Sequence, residues 1–354
     1  MKIIHTSDIH LASPLSTRLS SDKVKERKRE LLLSFRRMVE EAKGSGADAF
    51  IIAGDLFDSE RIARSVIADV LAIIASVPDI TFFYLYGNHE KALIESCGVK
   101  IPDNLKPFGK EWTYYTLGGV NIIGRTECAR GMFADIRLEK GERNIVVLHG
   151  ELRDRSDADG AIGEKELCEV PIDYLALGHY HTYAKNEINH RTVAVYPGIP
   201  EGRGFDETGD KGYVEISISS SEITHRFIKS AKRTLRIVEA DVSGLVRTVD
   251  IENAISAQLL NIPSTDMVRA VLVGTHEPGQ KIDEAAILAR FGDRFYYFEL
   301  KDKTKTRISP DDYKNDKSLK GEFIRGVLSD ENLTDKQKER VIDMGLMVLM
   351  NEEI

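Results

Sequence analysis

The sequence predicts an α/β chain in which two β-sheets pack on each other, and three observations carry that expectation. Strand-like apolar runs recur at 2–7, 47–54, 80–87, 120–124, 144–150 and 173–179, each reaching a polar or glycine-containing stop. Between the first three lie long segments of helical period, KVKERKRELLLSFRRMVEEAKGSG and ERIARSVIADVLAIIASVP. Glycine closes the first and proline the second, so the chain opens β-α-β-α-β. From about residue 192 the runs shorten to RTVAVYPG and KGYVEISIS with no helical pattern between them, which predicts a second sheet laid on the first.

These elements fill a first domain over residues 1–230. Residues 231–300 then alternate TLRIVEADV, a helical VDIENAISAQLLNI, MVRAVLVGT, a helical DEAAILARFG and RFYYFELK, which predicts a small separate α/β domain. The polar, aperiodic stretch 301–318 reads as a linker or solvated loop. Residues 319–354 read as a C-terminal helical segment of two helices separated near Asp330–Asp335. Its apolar positions Phe323, Ile324, Val327, Val341, Met344, Leu346 and Leu349 either pack on the small domain or dock on another protein.

A chain of 354 residues with 42% hydrophobic and 30% charged residues can bury a substantial interior. No apolar stretch approaches the roughly 18 residues that a membrane span requires, so no membrane partner is expected. The N-terminus MKIIHTSDIHL reads as a first strand rather than a signal peptide, and a cytoplasmic location is expected. Cys97, Cys128 and Cys168 form no CxxC pair, which excludes a thiolate zinc site of that kind and points to free structural thiols. A net charge of -8 argues against a surface that attracts nucleic acid everywhere. It leaves room for a local basic channel, or for an acidic site neutralised by cations.

Five of the nine histidines lie at or just beyond the C-terminal ends of apolar runs: His10, His89, His149, His179 and His181. Acids and an amide follow the same rule. Asp8 ends the first strand, Asp55 and Asp58 end the second in AGDLFD, and Asn88 ends the third beside His89. Strand C-termini in α/β sheets line the crevice where ligands bind, so these side chains are placed to converge. Taken singly, each motif has an ordinary reading: Asp58 as the cap of the next helix, GNHE as a tight turn. Together and in order, imidazole nitrogens with carboxylate or amide oxygens and no thiolate suit divalent manganese, iron or zinc, and so many donors suit two ions rather than one. His5, His190, His225 and His276 have no such partners and read as structural or surface residues.

The series Asp8-Ile-His10, Gly54-Asp55-(x2)-Asp58, Gly87-Asn88-His89-Glu90, His149-Gly150 and Gly178-His179-(x)-His181 resembles the calcineurin-like metallophosphoesterase superfamily over about residues 1–228. The resemblance implies a two-sheet β-sandwich flanked by helices. The segments SDIHLASPL, AGDLFDSERI and VYPGIPEGRGFDETGDKGYVEIS are similar to SbcD-like DNA repair exonucleases, which implies a capping role for 231–300 and a C-terminal segment that docks on an SMC-like ATPase. That pattern usually carries Asp where this chain has Glu90. Glu90 in GNHE is more familiar from protein phosphatases, which have Arg-Gly where this chain has Ser59-Glu60.

Carried over motif by motif, the resemblance implies that Asp8, His10 and His181 hold one metal and Asn88, His149 and His179 the other. Asp55 bridges them, Asp58 and Glu90 support from outside, and His89 protonates the leaving oxygen or stabilises charge on the phosphoryl group. The cofactor expected is a pair of divalent ions, manganese first, with iron, zinc or magnesium as alternatives. Arg125, Arg130, Arg153, Arg155 and Arg203 lie in loops near strand ends as candidates for phosphate contacts, Arg125 and Arg203 foremost. Three functions fit: a manganese-dependent nuclease acting on DNA with an SMC-like ATPase, a phosphatase or phosphodiesterase of nucleotides or another small molecule, and an ATPase-binding regulatory subunit with a secondary metal site. A homodimer is left open.

Overall fold

The computed structural model of the chain describes residues 1–15, 18–58, 62–86, 94, 98–154, 160–220, 222–276, 280–307, 313 and 315–349. It divides into two compact units, Met1–Leu235 and Arg236–Ile354.

The first unit runs β1 (Lys2–Thr6), α1 (Ser21–Gly44), β2 (Ala49–Ile52), α2 (Arg64–Ala75), β3 (Thr81–Tyr84), β4 (Leu105–Pro107), β5 (Thr113–Leu117), β6 (Val120–Gly124) and β7 (Arg143–His149). It continues with β8 (Glu151–Arg153), β9 (Ala161–Gly163), β10 (Tyr174–Gly178), β11 (Ala184–Glu187), β12 (Val193–Tyr196), β13 (Gly212–Ile218) and β14 (Ile223–Lys229). One six-stranded sheet has the order β14-β13-β1-β2-β3-β4, the other β11-β12-β10-β7-β6-β5. In the first, β1 to β4 are parallel and β13 returns antiparallel to β1. In the second, β6, β7, β10 and β12 are parallel.

The two sheets face each other across one core. Ile3, Ile51, Phe83 and Val214 from the first sheet meet Ile122, Ile145, Val147 and Val195 from the second. This is a β-sandwich, and each fully buried Val, Ile or Phe in it contributes about 1.5–3 kcal/mol of burial. On the outer side of the first sheet, α1 and α2 cover Ile4, Phe50 and Phe82 with Leu31, Phe35, Met38, Ile67, Val70 and Leu71. These helical positions recur at three- and four-residue intervals, and Ser20 caps α1 by accepting from the Lys23 N–H.

The sequence reading put 191–198 and 211–219 in one new sheet, and the structure separates them. Strand β12 lies beside β10 in the second sheet, whereas β13 pairs with β1, in register Ile3↔Ile216, and so closes the first. The reason is the run of buried residues Ala194, Val195 and Tyr196 in β12, which suits the interior of a parallel sheet. Strand β13 instead forms a hairpin with β14, which leaves it free to pair with β1 on its other side.

His5 points into the sandwich. It is fully buried, and Nδ1 lies 3.0 Å from the Tyr174 hydroxyl. Burial pushes its pKa down to about 3, with the nearby charge of His225 adding to the effect. The folded state therefore binds this proton more weakly than the unfolded chain does. Its stabilisation is complete above the unfolded value of roughly 6.5 and is lost as pH falls toward about 3. Between about pH 7.5 and about pH 5 the loss is about 2 kcal/mol. Urea unfolding in chelator should show that loss in the wild type and a smaller one in His5→Asn; equal losses in the two would rule it out.

The second unit runs β15 (Leu235–Asp241), α3 (Thr248–Gln258), β16 (Met267–Val273), β17 (Thr275–His276), α4 (Glu284–Phe291), β18 (Tyr297–Asp302), β19 (Lys305–Thr306), α5 (Leu319–Leu328) and α6 (Asp335–Leu349). Strands β15, β16 and β18 form a sheet whose core includes Val268, Ala270 and Leu272 with Ile251, Ile255, Ile287 and Phe291 of α3 and α4. Helices α5 and α6 pack on each other through Ile324, Ile342 and Leu346. Among the described residues no helix is long and apolar enough to cross a membrane.

Candidate metal centre

The centre sits where strands of both sheets end. Asp8 and His10 follow β1, Asp55 follows β2, His149 is the last residue of β7, and His179 and His181 follow β10. The loops after β1 and β2 run together: the Asp8 N–H donates to Gly54 O (3.1 Å), His10 N–H to Asp55 O (3.0 Å) and Leu11 N–H to Leu56 O (2.9 Å). Asp8, His10, Asp55 and His179 all have positive φ, at 50°, 48°, 48° and 112°. Such backbone in non-glycine residues costs on the order of 1–3 kcal/mol each and persists where surrounding structure imposes it. Two glycines make the close approach feasible. A Cβ on Gly54, itself at φ 95°, would collide with the His149 ring, and one on Gly178 would collide with that ring and with Ala53 O.

Two donor groups result, Asp8 with His10 and His181, and Asp8 with Asp55 and His149. Within each, the ligating atoms lie within 4.8 Å of one another. His10 Nε2 and His181 Nε2 are 3.4 Å apart, at 3.9 and 3.8 Å from Asp8 Oδ1. Asp55 Oδ2 lies 3.8 Å from His10 Nε2 and 3.6 Å from His149 Nε2, so one carboxylate oxygen faces both groups.

Each of these three imidazoles is held from behind. His149 Nδ1 lies 2.9 Å from Ala53 O and His181 Nδ1 lies 2.8 Å from Glu207 Oε1. An acceptor at Nδ1 assigns the proton there and leaves the Nε2 lone pair directed into the cluster, the arrangement found behind metal-bound histidines. His10 Nδ1 lies 2.8 Å from Asp58 Oδ1, a close contact without the alignment of a hydrogen bond. Burial first, then the charge of Arg203, lowers the pKa of His10 to about 4, so at neutral pH it is an uncharged donor.

The donor set fits a cation. Asp8 is 1% exposed; its Oδ2 accepts from the His179 N–H (2.9 Å), but its Oδ1 is buried and has no hydrogen-bond donor among the described residues. Burial pushes the Asp8 carboxyl up, with Asp55 adding to the shift. A buried, unsatisfied oxygen facing imidazole lone pairs and a second carboxylate is unfavourable unless positive charge lies among them.

The remaining expected residues divide. The His179 ring stands edge-on to His149, centroids 5.7 Å apart, and adjoins the second group without being one of its close donors. Asn88, His89 and Glu90, with Arg155, lie outside the described residues. Asp58 does not cap α2, which begins after Ala63 with no side-chain cap; it contacts His10 and Arg203 instead. The two foremost phosphate candidates are placed otherwise than expected. Arg203 is 15% exposed in its side chain and donates to Glu207, to Asp58 (3.1 Å) and to Ser13, which commits its guanidinium to the support of the cluster. Arg125 stacks over Trp112, 5.5 Å from the ring centroid. A cleft of about 540 Å³ opens beside the centre, with Asp55, His149, Tyr86, Cys128 and Gly160 in its wall, and Arg125 is not part of its described lining.

Glu207 is the residue the sequence reading missed. Burial works against its ionisation, yet hydrogen bonds from His181 and Arg203 and the charge of Arg203 outweigh that and hold it at about 2. It sits 26 residues beyond His181 in a loop with no periodic signal. Only the segment around GRGFDETGD, already singled out as a block, pointed there.

The family model described as calcineurin-like phosphoesterase matches residues 1–183. An uncharacterized metallophosphoesterase, YhaO, from Bacillus subtilis is 26% identical over 298 residues, covering 78% of this chain and 72% of that protein. The DNA double-strand break repair protein Mre11 of Methanosarcina acetivorans is 26% identical over 283 residues, covering 75% of this chain and 44% of its own length. The protein of the same name from Haloferax volcanii is 26% identical over 324 residues, covering 83% and 67%. The chain thus spans less than half of one of these relatives and about two thirds or more of the others.

Proposed function

The chain belongs to the calcineurin-like phosphoesterase family, and from that premise we propose that it is a two-metal phosphodiesterase that cuts DNA. It is a metal-dependent phosphoesterase. The observation that carries the rest is the pair of donor groups sharing Asp8, with Asp55 facing both. In this reading Asp8, His10 and His181 hold one ion, Asn88, His149 and His179 the other, and Asp55 lies between them. Held there, two divalent ions, manganese foremost, would supply a nucleophile at neutral pH and neutralise charge on the phosphoryl oxygens. His89, beside Glu90, gives a proton to the departing oxygen. Asp58, Glu207 and the Ala53 carbonyl fix the ring orientations, which keeps the Nε2 atoms on target as the reaction proceeds.

DNA as substrate is supported by the relatives named for double-strand break repair. Action in the cytoplasm alongside an SMC-like ATPase follows from the resemblance to SbcD-like exonucleases. Val341, Met344 and Val348, exposed on α6 at intervals of three and four residues, supply an apolar stripe suited to such a partner.

The test is hydrolysis, with manganese, of labelled linear duplex and single-stranded DNA beside bis-p-nitrophenyl phosphate. Metal-dependent cleavage of both DNA and the small ester is expected. Cleavage of the ester alone would replace DNA by a small phosphoester, and cleavage of neither by metal-loaded protein would leave the chain a regulatory subunit.

A further inference from the structure

We infer that the ring of Tyr180 is a stacking surface for a nucleobase of the substrate, set beside the metal centre; the inference rests on the DNA reading above. Tyr180 stands between His179 and His181, and it remains 40% exposed although both neighbours belong to the centre. A tyrosine that served only as a spacer would need no support. This one is immobilised at three points. Its hydroxyl donates to Glu151 Oε1 (2.8 Å), its ring meets Tyr196 edge-on at 4.7 Å between centroids, and it lies against the His179 ring at 5.5 Å.

The support is itself fixed. The Tyr196 hydroxyl donates to Gly150 O (2.9 Å) and accepts from the Leu152 N–H (2.9 Å). That ties the aromatic pair to the end of β7 and the start of β8. Both side-chain torsions of Tyr180 are thereby settled before anything binds, so little rotamer entropy is lost on stacking. The ring also lies close to the chemistry. His179 adjoins Tyr180 on one side and His149 on the other, centroids 5.7 Å apart, and His149 Nε2 is 3.6 Å from Asp55. A phosphodiester at the centre would carry its nearest sugar and base toward this edge.

The rim beside the ring carries an ion pair. Glu151, which holds the tyrosine hydroxyl, is also paired with Arg153 (2.6 Å), whose side chain is 46% exposed and whose charge Glu151 balances. Stacking on an aromatic ring is indifferent to base identity and is worth about 1–3 kcal/mol per base, or roughly 5- to 150-fold in affinity.

The experiment compares the full chain with Tyr180→Ala and Tyr180→Phe on two manganese-dependent substrates, a thymidine oligonucleotide and the same backbone carrying abasic sites throughout. Tyr180→Ala should raise KM on the thymidine strand by roughly 5- to 150-fold with a smaller change in kcat. It should match the wild type on the abasic strand and keep the wild-type metal content. Tyr180→Phe, which keeps the ring and its contacts with Tyr196 and His179 but loses the bond to Glu151, should stay much closer to the wild type than Tyr180→Ala does. Binding of a 2-aminopurine oligonucleotide in chelator should quench its fluorescence with the wild type and not with Tyr180→Ala. Equal kinetics of Tyr180→Ala and wild type on thymidine overturn the inference, and so does equal loss on both strands or loss of metal, which would mark Tyr180 as a support of the histidines alone. Failure of the wild type to cleave either strand removes the DNA reading itself and the inference with it.

Discussion

Asp55→Ala is expected to lose both bound metal and turnover, whereas His89→Ala keeps its metal and loses turnover by about 10²- to 10⁴-fold, the usual worth of a positioned general acid. The Asp55 expectation comes from geometry. Its Oδ2 faces His10 at 3.8 Å and His149 at 3.6 Å, so it addresses both donor groups at once. Truncation takes one of the three donors from the second group and the carboxylate that faces His10 from the first, and it removes charge that offsets a pair of cations. His89 lies outside the described residues, and its role rests on the resemblance of Gly87-Asn88-His89-Glu90 to the family motif. An imidazole that delivers a proton without holding metal should leave metal content unchanged. Metal analysis beside the rate of bis-p-nitrophenyl phosphate hydrolysis separates the cases. Equal metal loss in both variants would contradict the division of roles.

The second large effect concerns stability rather than rate. Asp8→Asn should make the metal-stripped protein more stable by about 1–3 kcal/mol while abolishing stabilisation by manganese. In the wild type Asp8 buries a carboxylate whose Oδ1 has no donor among the described residues, a penalty expressed in the upward displacement of its pKa by burial. Asparagine can still accept from the His179 N–H, as Asp8 Oδ2 does at 2.9 Å. Its amide can also donate toward the Nε2 lone pairs of His10 or His181. The uncompensated charge disappears, and with it the attraction for a cation. Urea unfolding in chelator and with excess manganese measures both consequences. For the wild type, metal at a hundredfold above its Kd adds about 2.7 kcal/mol. An Asp8→Asn protein less stable than wild type in chelator would show that Oδ1 is satisfied in a way that needs no ion.

The interior of the sandwich was legible in the sequence and its edges were not. Strands β1, β2, β3 and β13 of the first sheet and β6, β7, β10 and β12 of the second are each present as apolar runs. Parallel strands buried on both faces are mostly apolar, as the unbroken burial of AFII in β2 and YLALG in β10 illustrates. In the two large sheets the strands that went unread are the edges: β14 and β4, β11 and β5. ITHRFIK in β14 and AKNE in β11 alternate exposed and half-buried positions and carry charge, which discourages pairing with other chains and also hides the strand.

The site divides in a similar way. Asp8, His10, Asp55, His149, His179 and His181 could be located because each lies at the end of a readable strand. Glu207 and the placement of Arg203 could not. Both belong to an irregular loop whose partners, His181 and Asp58, are far away in sequence, and an arginine near an acidic cluster reads equally as a phosphate contact or a support. The ion pairs of Arg203 with Glu207 and Asp58 point to the supporting role.

The capacity of this junction of strand ends to take up two ions can be measured directly. Calorimetric titration of the chelator-stripped chain with manganese should give two equivalents bound per chain, with His181→Ala and His149→Ala each weakening a different one of the two. Uptake of a single equivalent, or of none, would contradict it.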